Sequence, residues 1–391
     1  MTPTREPDPS AAPHLTPQPQ ASSADPVAVV GARAPKRWLP KRVLVTASAA
    51  ATPHGRRIVE RVQAAGVQDV RLLRADRLPP LRGEDERATY ALAKSTLAVV
   101  TSPPSARTLV PIPPSADWRL DLATGCPAHC QYCYLAGSLA GPPVTRVYAD
   151  LPEVLSSMDS HVGRGAVTTG TSARHGEGTT FEASCYTDPL GIEHLTGSLA
   201  ATITHVGTHD WAAPVGLRFT TKFDDVTPLL DLPHGRRTRV RFSVNSAGPS
   251  GGERFEGGTA RVRERLGALR RLALAGYPVG LTIAPVIPAP GWQEAYGALL
   301  DDVAAATADV PELDLTAEVI THRFTPKSRE VLLGWYPATK LEMDPEQRTT
   351  KRGRYGSVKH VYGKETMADV RSWFERELAA RVPASRLLYF T

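Results

Sequence analysis

Apolar residues along this chain fall into two kinds of block. Short runs rich in Val, Leu, Ile and Phe read as strands, and longer stretches with apolar positions recurring three or four residues apart read as helices. Residues 42–46, 70–73 and 96–100 are expected strands, and 53–65 an expected helix with Ile58, Val59 and Val62 inward. Together they predict a small α/β layer over 37–110. Further strands are expected at 118–122, 180–184, 216–220, 239–244, 279–285 and 313–320, with helices between them at 151–161, 192–205, 260–275 and 293–306. Alternation of this kind predicts a parallel sheet with helices outside. Six units do not close an eight-stranded barrel, so the expected architecture over 111–335 is an open, partial (β/α)6 barrel. A C-terminal segment follows over 336–391, with a tight, charge-rich turn at 351–356.

The remaining stretches lack such periods. Residues 1–36 carry eight prolines among Ser, Ala and Gln and read as a disordered tail. The Gly- and Thr-rich stretch 161–178 reads as a surface loop, and it lacks the G-x4-G-K-[ST] pattern of a phosphate loop.

Composition narrows the class. The chain has 391 residues, 41% of them hydrophobic, enough for a sizeable core. No apolar run approaches the roughly 20 residues of a membrane helix. The N-terminus lacks the basic-then-apolar pattern of a secretory signal, so a cytoplasmic location without membrane contact is expected. A net charge of +6 fits a polyanionic partner and equally a solvated basic surface.

In β/α barrels, chemistry collects at the C-terminal ends of the strands. Here Cys126, Cys130 and Cys133 follow the first expected strand, Cys185 the second and Lys222 the third. Ser243 and Asn245 end the fourth, and His322 and Arg323 follow the sixth. Reactive side chains gathered at one rim point to an active site. The three clustered cysteines lie in GCPAHCQYCYL, residues 125–135, spaced C-x3-C-x2-C. Three thiolates at this spacing can converge on one metal centre. A structural zinc usually takes four ligands, and the fourth cysteine, Cys185, is remote in sequence. Four cysteines in a reducing compartment also argue against a disulfide framework.

With Tyr132 in the aromatic slot, C-x3-C-x-aromatic-C resembles the signature of the radical S-adenosylmethionine superfamily, and the full 125–135 run is similar to that of the spore photoproduct lyase family. Ala93-Lys94-Ser95-Thr96-Leu97 and residues 181–196 around Cys185 carry the same resemblance. So do 217–223, 241–245 and the stretch from Trp335 to Gly356, which is similar to the family's hairpin. It implies a 4Fe–4S cluster on Cys126, Cys130 and Cys133, with one iron left for S-adenosylmethionine. It implies that Tyr132, Thr187, Lys222, Ser243 and Ala284 contact that cofactor. It makes Cys185 the hydrogen donor, with Tyr132 and Tyr134 relaying hydrogen back, and Tyr134, Arg354 and Tyr355 the residues that engage the lesion.

The implied activity is a radical DNA-repair lyase that returns 5-thyminyl-5,6-dihydrothymine to two thymines. Its partners would be ultraviolet-damaged DNA and an electron donor such as flavodoxin or ferredoxin. Two departures from the family pattern stand out: Tyr186 after the donor cysteine, and the apolar run 286–290, expected to alter the substrate channel. They keep open an enzyme of the same build acting on another nucleic-acid lesion. A non-catalytic, zinc-stabilised nucleic-acid-binding protein is the further alternative.

Overall fold

Seven parallel strands lie side by side in chain order: Ala116–Leu120, Thr179–Ala183, Val215–Thr221, Thr238–Val244, Val279–Val286, Leu315–Thr321 and Ser385–Phe390. Val110–Ile112 pairs antiparallel with the first and closes that edge. This is a computed structural model, and it describes residue 1, residues 34–35 and residues 37–391 apart from 140, 169–171, 249–250 and 353–357. The proline-rich segment expected at 1–36 therefore lies almost wholly outside the described residues.

All six expected barrel strands are present, each within about two residues of its expected ends. The seventh, Ser385–Phe390, had no counterpart in the pattern analysis. It follows the helix Lys364–Arg381 and pairs with the sixth strand, a ladder continued where Thr391 N donates to Val319 O at 2.9 Å. The expected helix at 192–205 is broken. Glu193–Thr196 and Ser198–Thr208 flank Gly197, whose φ is +64° and against which the Arg61 guanidinium packs. A side chain there would be strained and would collide with that guanidinium.

The N-terminal layer is a second sheet in the order Val70–Leu72, Arg42–Val45, Thr96–Val100, Thr145–Tyr148, Ala123–Thr124. The first three were expected. The last two come from beyond the barrel's first strand and bracket the cysteine loop. Thr145–Tyr148 runs parallel to Thr96–Val100, and Ala123–Thr124 pairs antiparallel with it. Both ends of the loop are thus tied to this sheet. Its core is Val43, Val45, Ile58, Val62, Leu97 and Val99, with Ile192 and Leu195 packed on from the barrel side.

The second to sixth barrel strands are almost wholly buried on both faces. Phe181, Leu217, Phe219, Phe242, Leu281 and Val319 belong to one continuous apolar core with the flanking helices. Glu182, Arg218, Arg241 and Glu318, from the second, third, fourth and sixth strands, alternate with them, none more than 4% exposed. Arg218 donates to Glu318 at 2.6 Å and Arg241 to Glu318 at 2.8 Å. Arg241 also pairs with Glu182, while Ser115 Oγ donates to Glu182 at 2.8 Å and Tyr389 Oη to Glu318 at 2.9 Å. Two carboxylates face two guanidiniums, so the buried charges balance.

Burial alone would push the Glu318 carboxyl up, but Arg241 and Arg218 outweigh it and hold it below the usual range. A carboxyl whose folded pKa is depressed stabilises fully above its unfolded value of about 4.3 and loses that contribution as pH falls through the lowered folded value. Glu318→Ala leaves two guanidiniums under-compensated and is expected to cost about 3–5 kcal/mol in denaturant unfolding at neutral pH. Tyr389→Phe is expected to cost about 1 kcal/mol. Below about pH 4 the gap between Glu318→Ala and the parent should narrow. A constant gap across that range would contradict this assignment.

Candidate active site

A cavity of about 660 Å3 opens at the C-terminal ends of the barrel strands, and all four cysteines line it. Two features hold the cysteine loop there. Gly125 enters it at φ +76°, where a Cβ would lie 2.2 Å from Val144 O. The buried Lys94 ammonium donates to the carbonyls of Cys126 and Ala128. Cys130 then pairs antiparallel with Glu256, and Gln131 N donates to Phe255 O at 2.9 Å.

Cys126, Cys130 and Cys133 are free and partly buried. Burial pushes the Cys126 thiol up to about 11, with Lys94 pulling the other way, and the Cys130 and Cys133 thiols are raised for the same first reason. A metal binding here must displace those protons. Among the described residues, no three of His, Cys, Asp and Glu stand close enough to hold one metal ion. The loop supplies three thiolates, one short of the four ligands a structural zinc usually takes, so the donor set fits a 4Fe–4S cluster better than a zinc site.

The expected cofactor residues line the same cavity: Tyr132, Thr187, Lys222, Ser243 and Ala284. Lys222 Nζ donates to Ser243 Oγ at 2.5 Å, and Ser243 Oγ donates to Ala284 O at 3.3 Å. Thr187 Oγ1 is buried with no hydrogen-bond partner among the described residues, a hydroxyl left for a bound molecule to satisfy. Tyr132 Oη donates to Glu256, and Lys222 Nζ lies 5.7 Å from the Tyr132 ring centre.

Cys185 sits just after a strained residue. Ser184 adopts φ +56°, a conformation costing about 1–3 kcal/mol for a residue other than glycine. Its N donates to Leu120 O at 2.7 Å and its Oγ accepts from Leu122 N at 3.0 Å. The kink turns the chain off the second strand at the cavity wall. Partial burial, then Asp121 and Glu182, raise the Cys185 thiol well above its ordinary range, so it stays an S–H at neutral pH. Tyr134, 59% exposed, donates its hydroxyl to the Cys185 carbonyl. Tyr186 lines the cavity and is pinned by Arg119, whose guanidinium lies 4.6 Å from the ring centre and donates to Tyr186 Oη at 3.1 Å.

Arg354 and Tyr355 lie outside the described residues. The strands on either side, Thr349–Arg352 and Val358–Val361, form the expected antiparallel hairpin. Arg348 donates to His322 O at 3.0 Å and Phe324 bridges His360, which ties the hairpin base to a rim where His322 lines the cavity. The 286–290 run does not reach that cavity, whose lining from this strand ends at Pro285. Pro288 faces a separate hollow with Trp292 and Trp373. The expected effect on the channel therefore has no basis in the lining.

Sequence reasoning left three supporting residues without roles. Asp188 accepts from Thr221 Oγ1 at 2.8 Å and from Lys222 N at 2.7 Å, which sets where Lys222 leaves its strand. Its position inside the 181–196 run was the available signal. Lys94, likewise within a quoted run, braces the cysteine loop. Glu256 joins Tyr132 to the buried Arg265, 2.5 Å away, and no local pattern marks it.

The family described as spore photoproduct lyase matches residues 38–391. The spore photoproduct lyase of Geobacillus sp. (strain Y412MC61) is 36% identical over 358 residues, covering 91% of this chain and 100% of the relative. That of Bacillus subtilis (strain 168) is 35% identical over 356 residues, covering 90% and 99%. Among solved structures, a spore photoproduct lyase variant with bound AdoMet and dinucleoside spore photoproduct superposes with a TM-score of 0.82 at 35% identity, covering 91% of this chain and 100% of that one. A spore photoproduct lyase complexed with dinucleoside spore photoproduct matches with the same score, identity and coverage.

Lys94→Met keeps the length of the side chain and removes the donor that spans two loop carbonyls. It is expected to lower iron and sulfide per protein after anaerobic reconstitution while leaving secondary structure intact by circular dichroism. Full iron content in the variant would show that the loop holds its shape without that brace.

Proposed function

This chain belongs to the spore photoproduct lyase family, and from that premise we infer that it is a DNA-repair lyase returning the spore photoproduct, 5-thyminyl-5,6-dihydrothymine, to two thymines. The observation that carries this reading is the placing of Cys126, Cys130, Cys133 and Cys185 on one cavity. When bound, a 4Fe–4S cluster and S-adenosylmethionine supply a carbon-centred radical able to take a hydrogen atom from the lesion. We assign Cys126, Cys130 and Cys133 to the cluster, and Tyr132, Thr187, Lys222, Ser243 and Ala284 to S-adenosylmethionine. The orphan Thr187 hydroxyl and the Lys222–Ser243–Ala284 chain support the second assignment.

Cys185 is assigned as the hydrogen donor. Its raised pKa keeps the hydrogen on sulfur, and an S–H bond is weaker than the C–H bond formed when it quenches a thymine radical. Tyr134, bonded to the Cys185 backbone, and Tyr132, inside the cavity, are assigned to returning hydrogen to that sulfur. Arg354 and Tyr355 are carried over from the family as lesion-engaging residues, and the hairpin arms anchored at His322 support that assignment. We place the enzyme in the cytoplasm with a low-potential electron donor. No helix among the described residues is long and apolar enough to cross a membrane.

One observation favours a second reading. Tyr186, fixed by Arg119 on the cavity wall, puts a bulky ring beside Cys185. It supports an enzyme of the same build that prefers a different nucleic-acid lesion, and repair rates on a panel of dinucleotide photoproducts decide between the two.

The main reading is tested by product analysis under anaerobic reduction with a synthetic dinucleotide lesion. The parent enzyme should yield two thymines. Ala at any one of Cys126, Cys130 or Cys133 should remove the iron centre and all turnover. Cys185→Ala should keep the iron and still cleave the bridge, but the thymine radical should be trapped as an adduct and repaired thymine should fall. Undiminished repair to two thymines by Cys185→Ala would remove that residue from the mechanism.

A further inference from the structure

The cysteine loop has two faces. Ala128, Cys130 and Tyr132 line the active-site cavity. The alternate residues His129 and Gln131 line two outer hollows, of about 360 and 400 Å3, that share no residue with that cavity. The hollows share Arg87, Trp335 and Tyr336 as a common wall. Among the described residues, their linings hold the cations Lys41, Arg87, Lys94, Arg254 and Lys340 and no carboxylate. All but Lys94 are exposed.

Aromatic rings connect this outer surface to the loop. Trp335, partly exposed, stacks on Tyr90 with ring centres 4.5 Å apart and planes 25° from parallel. Tyr336 Oη is hydrogen-bonded to Tyr90 Oη, which meets His129 Nδ1 at 3.0 Å. His129 adjoins Cys130. Tyr336, in the common wall, is therefore joined to the neighbour of a cluster thiolate by two hydrogen bonds. The route runs behind the loop and does not cross the space where substrate must sit.

We propose that this basic, aromatic-walled surface around Trp335 and Tyr336 is where an acidic, low-potential electron-carrier protein docks, and that Trp335, Tyr336, Tyr90 and His129 form the route by which its electron enters. The inference rests on the proposed radical chemistry, which requires one electron from outside. Tunnelling falls steeply with distance, so a donor must approach the cluster closely, and the substrate cavity is not free for it. Conjugated rings in van der Waals contact and short hydrogen bonds shorten the effective path. A carrier whose redox centre is rimmed by carboxylates would find complementary charge here. In the transfer, the carrier's anionic flavin hydroquinone is oxidised to the neutral semiquinone by loss of one electron, and the cluster would take up that electron. Nucleic acid is also polyanionic, but the cavity that must hold the lesion is elsewhere, lined among others by Cys185, Tyr186, His322 and Arg323.

The test uses reconstituted holoenzyme, a reduced acidic flavodoxin as protein donor and dithionite as small donor. The double charge reversal R87E/K340E is compared with R236E/R237E, an equal change in the arginine-lined hollow at the opposite end of the barrel. Three readouts are followed: flavodoxin affinity by calorimetry, the rate of cluster bleaching and the binding of lesion-free duplex DNA. R87E/K340E should weaken flavodoxin binding and slow flavodoxin-driven bleaching by about tenfold or more at low salt, with the deficit shrinking as salt rises. Dithionite-driven bleaching should be unchanged, and R236E/R237E should behave as the parent.

Parent-like flavodoxin binding and bleaching in R87E/K340E would overturn the proposal. Loss of DNA binding with flavodoxin binding intact would also overturn it and assign the surface to nucleic acid. A parent protein that dithionite cannot bleach would instead sink the radical-enzyme reading on which the proposal stands.

Discussion

The interior charge balance between Glu182, Glu318, Arg218 and Arg241 is the constraint on which the rest of this fold depends. A closed eight-stranded barrel fills its centre with layers of branched apolar side chains. A sheet that stops short of closing leaves part of its interior facing a cavity, and apolar side chains lining it would drive collapse. Paired charges line such a wall without collapsing onto it, provided each has its partners. Second, third, fourth, sixth and seventh strands are laced together through these groups. The same layer lines part of the cavity through Glu182, Arg241, Glu318 and Tyr389, and brings Glu182, whose field helps keep the Cys185 thiol protonated, close to that sulfur.

Much of this was legible along the chain because it is written in local periods. The six barrel strands and the helix at Pro53–Ala64 declare themselves by apolar spacing, and the functional side chains fall at or beyond the C-terminal ends of the strands, where β/α geometry places them. What stayed hidden depends on distant partners. Ser385–Phe390 is a strand with only intermediate or exposed positions, so its alternation is blurred and only its pairing with Leu315–Thr321 makes it visible. The charges inside strands two, three, four and six had a signal, Glu182 and Glu318 against Arg218, Arg239 and Arg241 in otherwise apolar runs, but no spacing says which meets which. Gly197 broke a helix for a reason located at Arg61, more than a hundred residues away in sequence.

The site shows the same division. Three cysteines at fixed spacing and a lone cysteine after a strand are sequence-level facts. That Ser184 must take a left-handed turn to aim the chain, that Asp188 sets Lys222, and that Lys94 grips the loop from the end of the helix Glu86–Lys94 are facts of assembly. Each supporting group is an ordinary residue made important by what folds against it.

The N-terminal sheet borrows its fourth and fifth strands, Thr145–Tyr148 and Ala123–Thr124, from chain that has already begun the barrel. The two layers are therefore braided. Severing the chain near residue 110 would leave a three-stranded fragment with Thr96–Val100 bare along one edge, and a barrel whose cysteine loop was bracketed by a two-stranded ribbon without the sheet behind it. The consequence is genealogical. Such a layer is hard to acquire by fusion or to shed by deletion, because neither half is a unit that recombination could move. The two layers therefore travel as one unit.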